Sequence, residues 1–437
     1  MKKTRLSAAL SALLLISALL LSSCMKLPGN VSKSTENEPV SVSTAEDVTE
    51  KETDTPAAEN VVPEGTEAET PASEAAETAE ETAAETAEET AEETDAETSE
   101  GTAEETTEEP TESETEPIPL RDPDAVIDTT NALYTYDKMQ DDLHYLAAVY
   151  PELLTLHSAG TTEDGRDLSY VIFGNPEAPR QIYICAATHG REYMTPQLVM
   201  RQLAFYCTEY ETGSYNGVPF KEIFENTCFY VEPMVNPDGV TISQLGAEGL
   251  NRQDLRDNLY RIFQSDVANG TAETTDYAAY LVRWKANALG VDINRNYSPG
   301  WETVHERSGP SSTFYKGSEP GSEKETQAQM SIVNSLSNPL MAISYHSYGD
   351  LVYWQYGQPE PLWSENQQLA QNISNMTGQY LAGYSNEAGF SNWCIIEKGL
   401  KSVTVETGTV PTPLPITQFP ELWEEHKYIW AMLATVY

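Results

Sequence analysis

Gln181-Ile-Tyr-Ile-Cys-Ala-Ala187 runs straight into Thr188-His189-Gly190-Arg191-Glu192, and Thr195-Pro196 follows at once. The apolar run reads as a buried strand. Thr195-Pro196 reads as a helix N-cap with proline at the first helical position. His189 and Glu192 therefore fall in a short loop at a strand's exit, where α/β proteins tend to place reactive groups. A neutral imidazole and a carboxylate three residues apart can hold two corners of a zinc site. Taken alone the pair is a weak signal, because His-x-x-Glu arises often by chance.

The same alternation continues on both sides of this unit. Upstream, Tyr136–Tyr150 carries apolar residues near one helical face and stops at Pro151, and Leu153–His157 and Leu168–Phe173 read as strands around the turn Thr161-Thr-Glu-Asp-Gly165. Downstream, Thr227–Glu232 is a strand that exits through the turn-rich Pro233-Met-Val-Asn236-Pro-Asp-Gly239. Residues 241–280 are polar and acidic and read as an insertion or lid. Helices are expected over Glu323–Leu336, Trp363–Tyr380 and, as one closing amphipathic element, Pro420–Val436. Strands over Leu340–Tyr345 and Leu400–Val405 deliver His346 and Glu406, and Leu351–Trp354 is a further strand. Strands alternating with helices, with polar residues at the strand ends, indicate a doubly wound α/β sheet flanked by helices.

Residues 1–120 have a different character. Lys2, Lys3 and Arg5 precede an apolar run from Ala8 to Leu21, shorter than the roughly 20 residues of a membrane span and suited to a secretory signal. The run ends in Leu21-Ser22-Ser23-Cys24, which resembles a bacterial lipobox in which the cysteine carries lipid. Ordinary signal cleavage beside an incidental cysteine is the alternative. Residues 1–23 are thus a lipoprotein-type signal peptide, and residues 24–120 form a Thr/Ala/Glu-rich tether. About 30 acidic residues between 30 and 119 face only Lys33 and Lys51, too much like charge and too little apolar surface to fold alone. The expectation is an extracytoplasmic protein, anchored to the bacterial membrane through lipid on Cys24 or secreted if the lipobox is not used.

The whole chain carries a formal charge of −44, and residues 121–437 alone still carry about −20. That balance argues against nucleic acid as a partner, since phosphate binding needs clustered Lys and Arg. Besides Cys24 there are Cys185, Cys207, Cys228 and Cys394, with no CxxC element, so a zinc ribbon is excluded. Cys185 and Cys228 lie in apolar runs and read as buried thiols; disulfides remain open for an exported protein.

With six histidines the candidate ligands can be surveyed completely. His144 lies on the polar side of a helix, His157 near a strand's end, and His426 on the closing helix. His305 begins His-Glu-Arg-Ser-Gly309, which lacks the second histidine of HExxH. His189 and His346 remain, each at the polar exit of an apolar strand. With Glu192 they make a His₂Glu set that leaves a fourth position for water. Hydrolysis also needs a base for that water, and Glu406, delivered by Ser402-Val-Thr-Val405, is the candidate. No Gly-x-Ser-x-Gly, GxGxxG or P-loop sequence occurs, so serine-hydrolase, dinucleotide and NTPase readings have no support.

The ordered set His189-x-x-Glu192, Asn236-Pro-Asp-Gly239, Asp292-x-Asn294-Arg295-Asn296, His346-Ser-Tyr348 and Thr404-x-Glu406 resembles the zinc carboxypeptidases of the carboxypeptidase A/T (M14) family. The resemblance runs from about Tyr134 to the C-terminus. It implies an α/β/α sandwich with a mixed, mostly parallel eight-stranded sheet in residues 121–437. It also implies one zinc ion held by His189, Glu192 and His346, with Glu406 as general base. Asn294 and Arg295 match the clamp on the substrate's terminal carboxylate, for which a guanidinium fork is apt. Arg191 matches a contact further from the substrate's end, and Tyr384 aligns with a mobile tyrosine that closes over it.

Three departures qualify what carries over. Lys285, after Trp284, stands where pancreatic members have an arginine that polarises the scissile carbonyl, so the charge is supplied without the forked geometry. Ser391 occupies the position that tunes side-chain preference, and it is neither aliphatic nor acidic. No folded pro-domain lies between the signal and Tyr134, so the usual zymogen mechanism is not implied. Arg283-Trp-Lys-Ala-Asn287 and Val291-Asp-Ile-Asn-Arg-Asn296 look closer to bacterial members that cut γ-D-glutamyl–diaminopimelate bonds. The expected partner is a peptide or muropeptide with a free C-terminal carboxylate, acted on by a monomer. The rivals are a nutritional carboxypeptidase and a catalytically weak lipoprotein that binds peptide ends.

Overall fold

The computed structural model describes Arg121 and residues 126–437. The signal peptide, the Cys24 lipobox and the acidic tract lie outside the described residues. One sheet organises the rest, built from β1 (Leu154–Thr161), β2 (Asp167–Phe173), β3 (Arg180–Ala186), β4 (Thr227–Glu232), β5 (Pro339–His346), β6 (Leu351–Tyr353), β7 (Tyr380–Leu381) and β8 (Lys401–Glu406). Their order across the sheet is β1-β2-β4-β3-β5-β8-β6-β7. The four central strands β4, β3, β5 and β8 are parallel neighbours. β1 and β2 add an antiparallel flank on one side, and β6 runs antiparallel to β8 on the other.

Among the described residues, ten α-helices of six residues or more cover this sheet and its rim: α1 (Tyr136–Val149), α2 (Met194–Thr208), α3 (Pro237–Leu245), α4 (Gln253–Ala268), α5 (Tyr277–Val282), α6 (Lys324–Ser335), α7 (Leu362–Thr377), α8 (Phe390–Ile396), α9 (Phe419–His426) and α10 (Ile429–Val436). Side chains alternate between the faces of each strand. Ile182 and Ile184 of β3 enter one core with residues of α1, α2, α7, α9 and α10. Tyr183 and Cys185 enter a second core with α6 and α8. The apolar run at 181–187 has no polar side because helices cover both faces, which makes the three-layer α/β/α sandwich.

The 241–280 stretch is a packed helical layer. Leu255, Leu259, Ile262 and Phe263 of α4 close with Tyr280 and Leu281 of α5 around Trp284, forming a third apolar core. Its helical period is hidden in sequence by the charged outer face of α4. The expected single closing helix is two helices, parted at Lys427–Tyr428. Gln202 Nε2 donates to the His426 carbonyl at 2.7 Å and the Tyr206 hydroxyl to that of Lys427, also at 2.7 Å. Side chains thereby take carbonyls that would otherwise face the next turn. All four described cysteines are free and buried. Burial pushes the Cys185 and Cys228 thiols up to about 12, so neither is a thiolate at neutral pH.

Candidate metal centre

The parallel register sets the site. His346 ends β5 directly opposite Glu406 at the end of β8. On the other side of β5, Ala186 at the end of β3 pairs with Tyr345. The loop after β3 therefore emerges over the same edge and brings His189 and Glu192 to His346. Thr195 shapes that loop in a way its sequence position did not suggest. The helix starts two residues earlier than that cap implies, at Met194, and Tyr193 occupies the cap position. The Thr195 hydroxyl instead accepts from Ala187 N at 3.0 Å and donates to the Glu192 carbonyl at 2.9 Å, pinning both ends of the loop.

The turn at Asn236 and the segment at Lys285–Ala286 brace the loop from behind. Asn236 caps α3 by accepting from Gly239 N at 2.8 Å, while its Nδ2 donates to the carbonyls of Thr188 and Ala286. Gly190 N donates to the Lys285 carbonyl at 3.0 Å. The Asn-Pro-Asp-Gly sequence is thus a helix start, with Pro237 at its first position, and a brace for the histidine loop.

His189, Glu192 and His346 are all buried, and one ligand atom from each lies within 4.8 Å of the others. Glu192 Oε1 is 2.7 Å from His189 Nδ1, and its Oε2 is 3.1 Å from His346 Nδ1. The two imidazole Nδ1 atoms face each other at 3.1 Å. Two nitrogens that each present a lone pair repel at that distance unless a proton or cation lies between them. Two neutral imidazoles and one carboxylate in this arrangement fit a zinc ion with an open fourth position. Burial holds His189 below its ordinary range, against the pull of Glu192, so its lone pair is available. Burial pushes the Glu192 carboxyl up, but His189 and His346 together hold it well below the carboxylate range.

Behind His189 sits Asp292, fully buried, which in the sequence is visible only as the first residue of Asp292-x-Asn294-Arg295-Asn296. Its Oδ1 lies 3.2 Å from His189 Nε2, off the hydrogen-bond line. Its Oδ2 accepts from Lys285 Nζ at 2.8 Å and from Phe314 N at 3.1 Å. Burial raises the Asp292 carboxyl, yet Lys285 and His189 keep it well below the usual range and therefore ionised. A carboxylate at the far nitrogen of a ligating histidine fixes the ring and its tautomer.

A family model described as zinc carboxypeptidase matches residues 139–429. The chain belongs to the zinc carboxypeptidase family. Zinc is the metal of this family, and the His-Glu-His cluster is the group of three such side chains, among the described residues, that can hold it. This zinc carboxypeptidase is 26% identical over 296 residues to gamma-D-glutamyl-L-diamino acid endopeptidase 1 of Lysinibacillus sphaericus, covering 67% of this chain and 70% of that one. It is 27% identical over 312 residues to carboxypeptidase B of Astacus astacus, covering 67% and 92% respectively. Among solved structures, thrombin activatable fibrinolysis inhibitor shares the fold with a TM-score of 0.55 at 17% identity, over 72% of this chain and 77% of that one.

In this zinc carboxypeptidase, Arg191, Lys285, Asn294, Arg295, Ser391 and Glu406 all line one cavity with His189 and Glu192. Burial pushes the Glu406 carboxyl up to about 8, with His346 pulling it back. Asn294 accepts from Phe390 N at 3.0 Å through Oδ1, which leaves its amide nitrogen as the donor. Arg295 is buried and pairs at 2.9 Å with Glu387, a cavity residue between Tyr384 and Ser391 that carries no motif in the sequence. Tyr384 is 60% exposed and lies outside the cavity lining. Ser391 belongs to a hydroxyl floor: its Oγ is 3.0 Å from Thr404 Oγ1, which also accepts from the Tyr356 hydroxyl at 3.0 Å.

Proposed function

We propose that this zinc carboxypeptidase removes the C-terminal residue of cell-wall muropeptides, acting outside the membrane as a monomer tethered through lipid on Cys24. The observation that carries the hydrolytic part is the convergence of His189, Glu192 and Glu406 on one cavity that also contains Arg295, with His346 buried against Glu192 and paired in register with Glu406. Zinc held there supplies Lewis acidity, which polarises a carbonyl and makes water deprotonable near neutral pH. Asn294 and Arg295 bind the terminal carboxylate, one through an amide donor and the other through a guanidinium fork. That contact sets the distance from the chain end to the bond that is cut. Arg191 reaches the substrate further from its end. Glu406 takes the proton of the attacking water and returns it to the leaving amine; burial disfavours its charged form, which makes the carboxylate a stronger base than an exposed one. Lys285 places positive charge where the oxyanion develops. Its ammonium is already paired with Asp292, so its share is smaller than that of a free guanidinium.

The muropeptide assignment is supported by the likeness to an endopeptidase whose name specifies a γ-D-glutamyl–diamino acid bond. A lipid anchor with a long acidic spacer would hold such an enzyme near the wall; about 90 residues extend to at most about 300 Å. A general carboxypeptidase is the second reading, favoured by the match to carboxypeptidase B over most of that protein's length. Mass spectrometry of products from mixed muropeptides and plain peptides, incubated with the zinc-loaded protein, separates them. Release of a diamino acid from stem peptides is the expected result. Cleavage of ordinary peptides with stem peptides left intact overturns the wall assignment. Glu406→Gln should retain zinc and lower kcat by roughly 10²–10⁴-fold; undiminished release would remove the general-base role.

A further inference from the structure

The residue proposed to hold the terminal carboxylate is already neutralised. Arg295 Nη1 pairs with Glu387 Oε2 at 2.9 Å, and Arg295 Nε lies 3.6 Å from Glu306 Oε1. Arg295 is itself buried, whereas both acids are about half exposed and stand on loops, Glu387 in the cavity lining. A substrate that brings only a carboxylate has to share Arg295 with Glu387, which leaves two anions beside one guanidinium. A substrate that brings a carboxylate and an ammonium exchanges one ion pair for two, with no unpaired charge. The difference between those outcomes discriminates between terminal residues.

The hydroxyl side of the pocket supplies no acid of its own. Its floor is a network of hydroxyls in which Ser402 Oγ donates to Ser391 Oγ at 3.1 Å and Ser391 meets Thr404. That floor offers neither an aliphatic surface for a large apolar side chain nor a charge for an ionised one. Among the lining residues, Glu192 and Glu406 are the other acids, and both face the metal cluster. Glu387 is therefore the lining carboxylate outside the metal cluster, and the one placed to serve the side chain of the terminal residue.

We infer that Glu387 is a specificity-determining residue that receives the ammonium group of a diamino C-terminal residue and, in doing so, releases Arg295 to the terminal carboxylate. The inference rests on the proposed placement of the carboxylate at Asn294 and Arg295. Two ligands that differ in one ammonium test it: Nα-acetyl-L-lysine and Nα-acetyl-L-norleucine, titrated into the zinc-loaded full chain by calorimetry. Wild-type protein should bind the lysine derivative at least about 10-fold more tightly, as expected for one charge-assisted pair. In Glu387→Gln the ratio should fall to within about twofold, with the norleucine derivative gaining affinity because Arg295 is freed. An unchanged ratio in the variant, or equal binding by the wild type, overturns the inference. Glu387→Lys is the second variant, and it should reverse the preference. Failure of the proposed function reads out differently: no terminal residue released from any peptide, with the binding ratio intact.

Discussion

Gly190 and Gly239 pack backbone against backbone: a methyl group on Gly190 would lie 2.9 Å from Gly239 Cα and closer still to its carbonyl. Neither backbone can yield. Gly190 is hydrogen-bonded to Lys285, and Gly239 is the amide that Asn236 caps. Gly190→Ala should cost about 1–3 kcal/mol of stability, the range for overpacking a fixed site, and should displace His189 and weaken zinc. Thermal denaturation with and without zinc measures both effects. A variant with parental melting temperature and zinc content would refute the interlock.

Asp292 connects the ammonium of Lys285 to the far side of His189. Asp292→Asn keeps the shape and removes the charge. Zinc affinity should fall roughly 10–100-fold, as for other partners behind a ligating histidine. Competition with a calibrated chelator reads this without reference to turnover. Equal affinity in the two proteins would show that His189 needs no orienting carboxylate.

Much of this arrangement could be read from sequence, for a physical reason. A strand buried on both faces is a continuous apolar run, and a polar residue just past its end stands out, so His189, His346 and Glu406 were visible as strand-exit residues. Asp292 gave no such signal, since it follows Val291 in a loop and its partners are brought from residues 189 and 314 by tertiary packing. Thr195 fits the pattern of a helix cap, and only the neighbouring loop reveals that its hydroxyl is used elsewhere. The division of the last helix is equally invisible, because Gln202 and Tyr206, which take its carbonyls, lie more than two hundred residues away.

Metal removal should cost stability as well as activity. A ligand bound by the folded state alone stabilises it by about 2.7 kcal/mol at a hundred times its Kd. Chelation should lower the melting temperature, and added zinc should restore it. His346→Ala should lose most of that zinc-dependent shift. An identical shift in that variant would place the stabilising metal elsewhere in the chain.

His426, at the end of α9, is fully buried against Tyr345, and neither ring nitrogen has a hydrogen-bond partner. Burial drives its pKa down to about 3, from 6.5 for an ordinary imidazole. The sign follows from proton counts. Between those two values the unfolded chain binds a proton that the folded chain does not, so stability rises with pH in that window. The contribution is fully present above 6.5 and is lost as pH falls towards 3. Glu232 and Glu325, buried carboxyls raised to about 8, act with the opposite sign. The informative quantity is therefore the difference between wild type and His426→Leu. From pH 7.5 to pH 5.0 the wild type should lose about 2 kcal/mol more than the variant, from 1.4 kcal/mol per unit over the part of that range below 6.5. Urea unfolding at the two pH values measures it. Parallel losses in the two proteins would mean that His426 is hydrated or protonated in the fold, contrary to its packing.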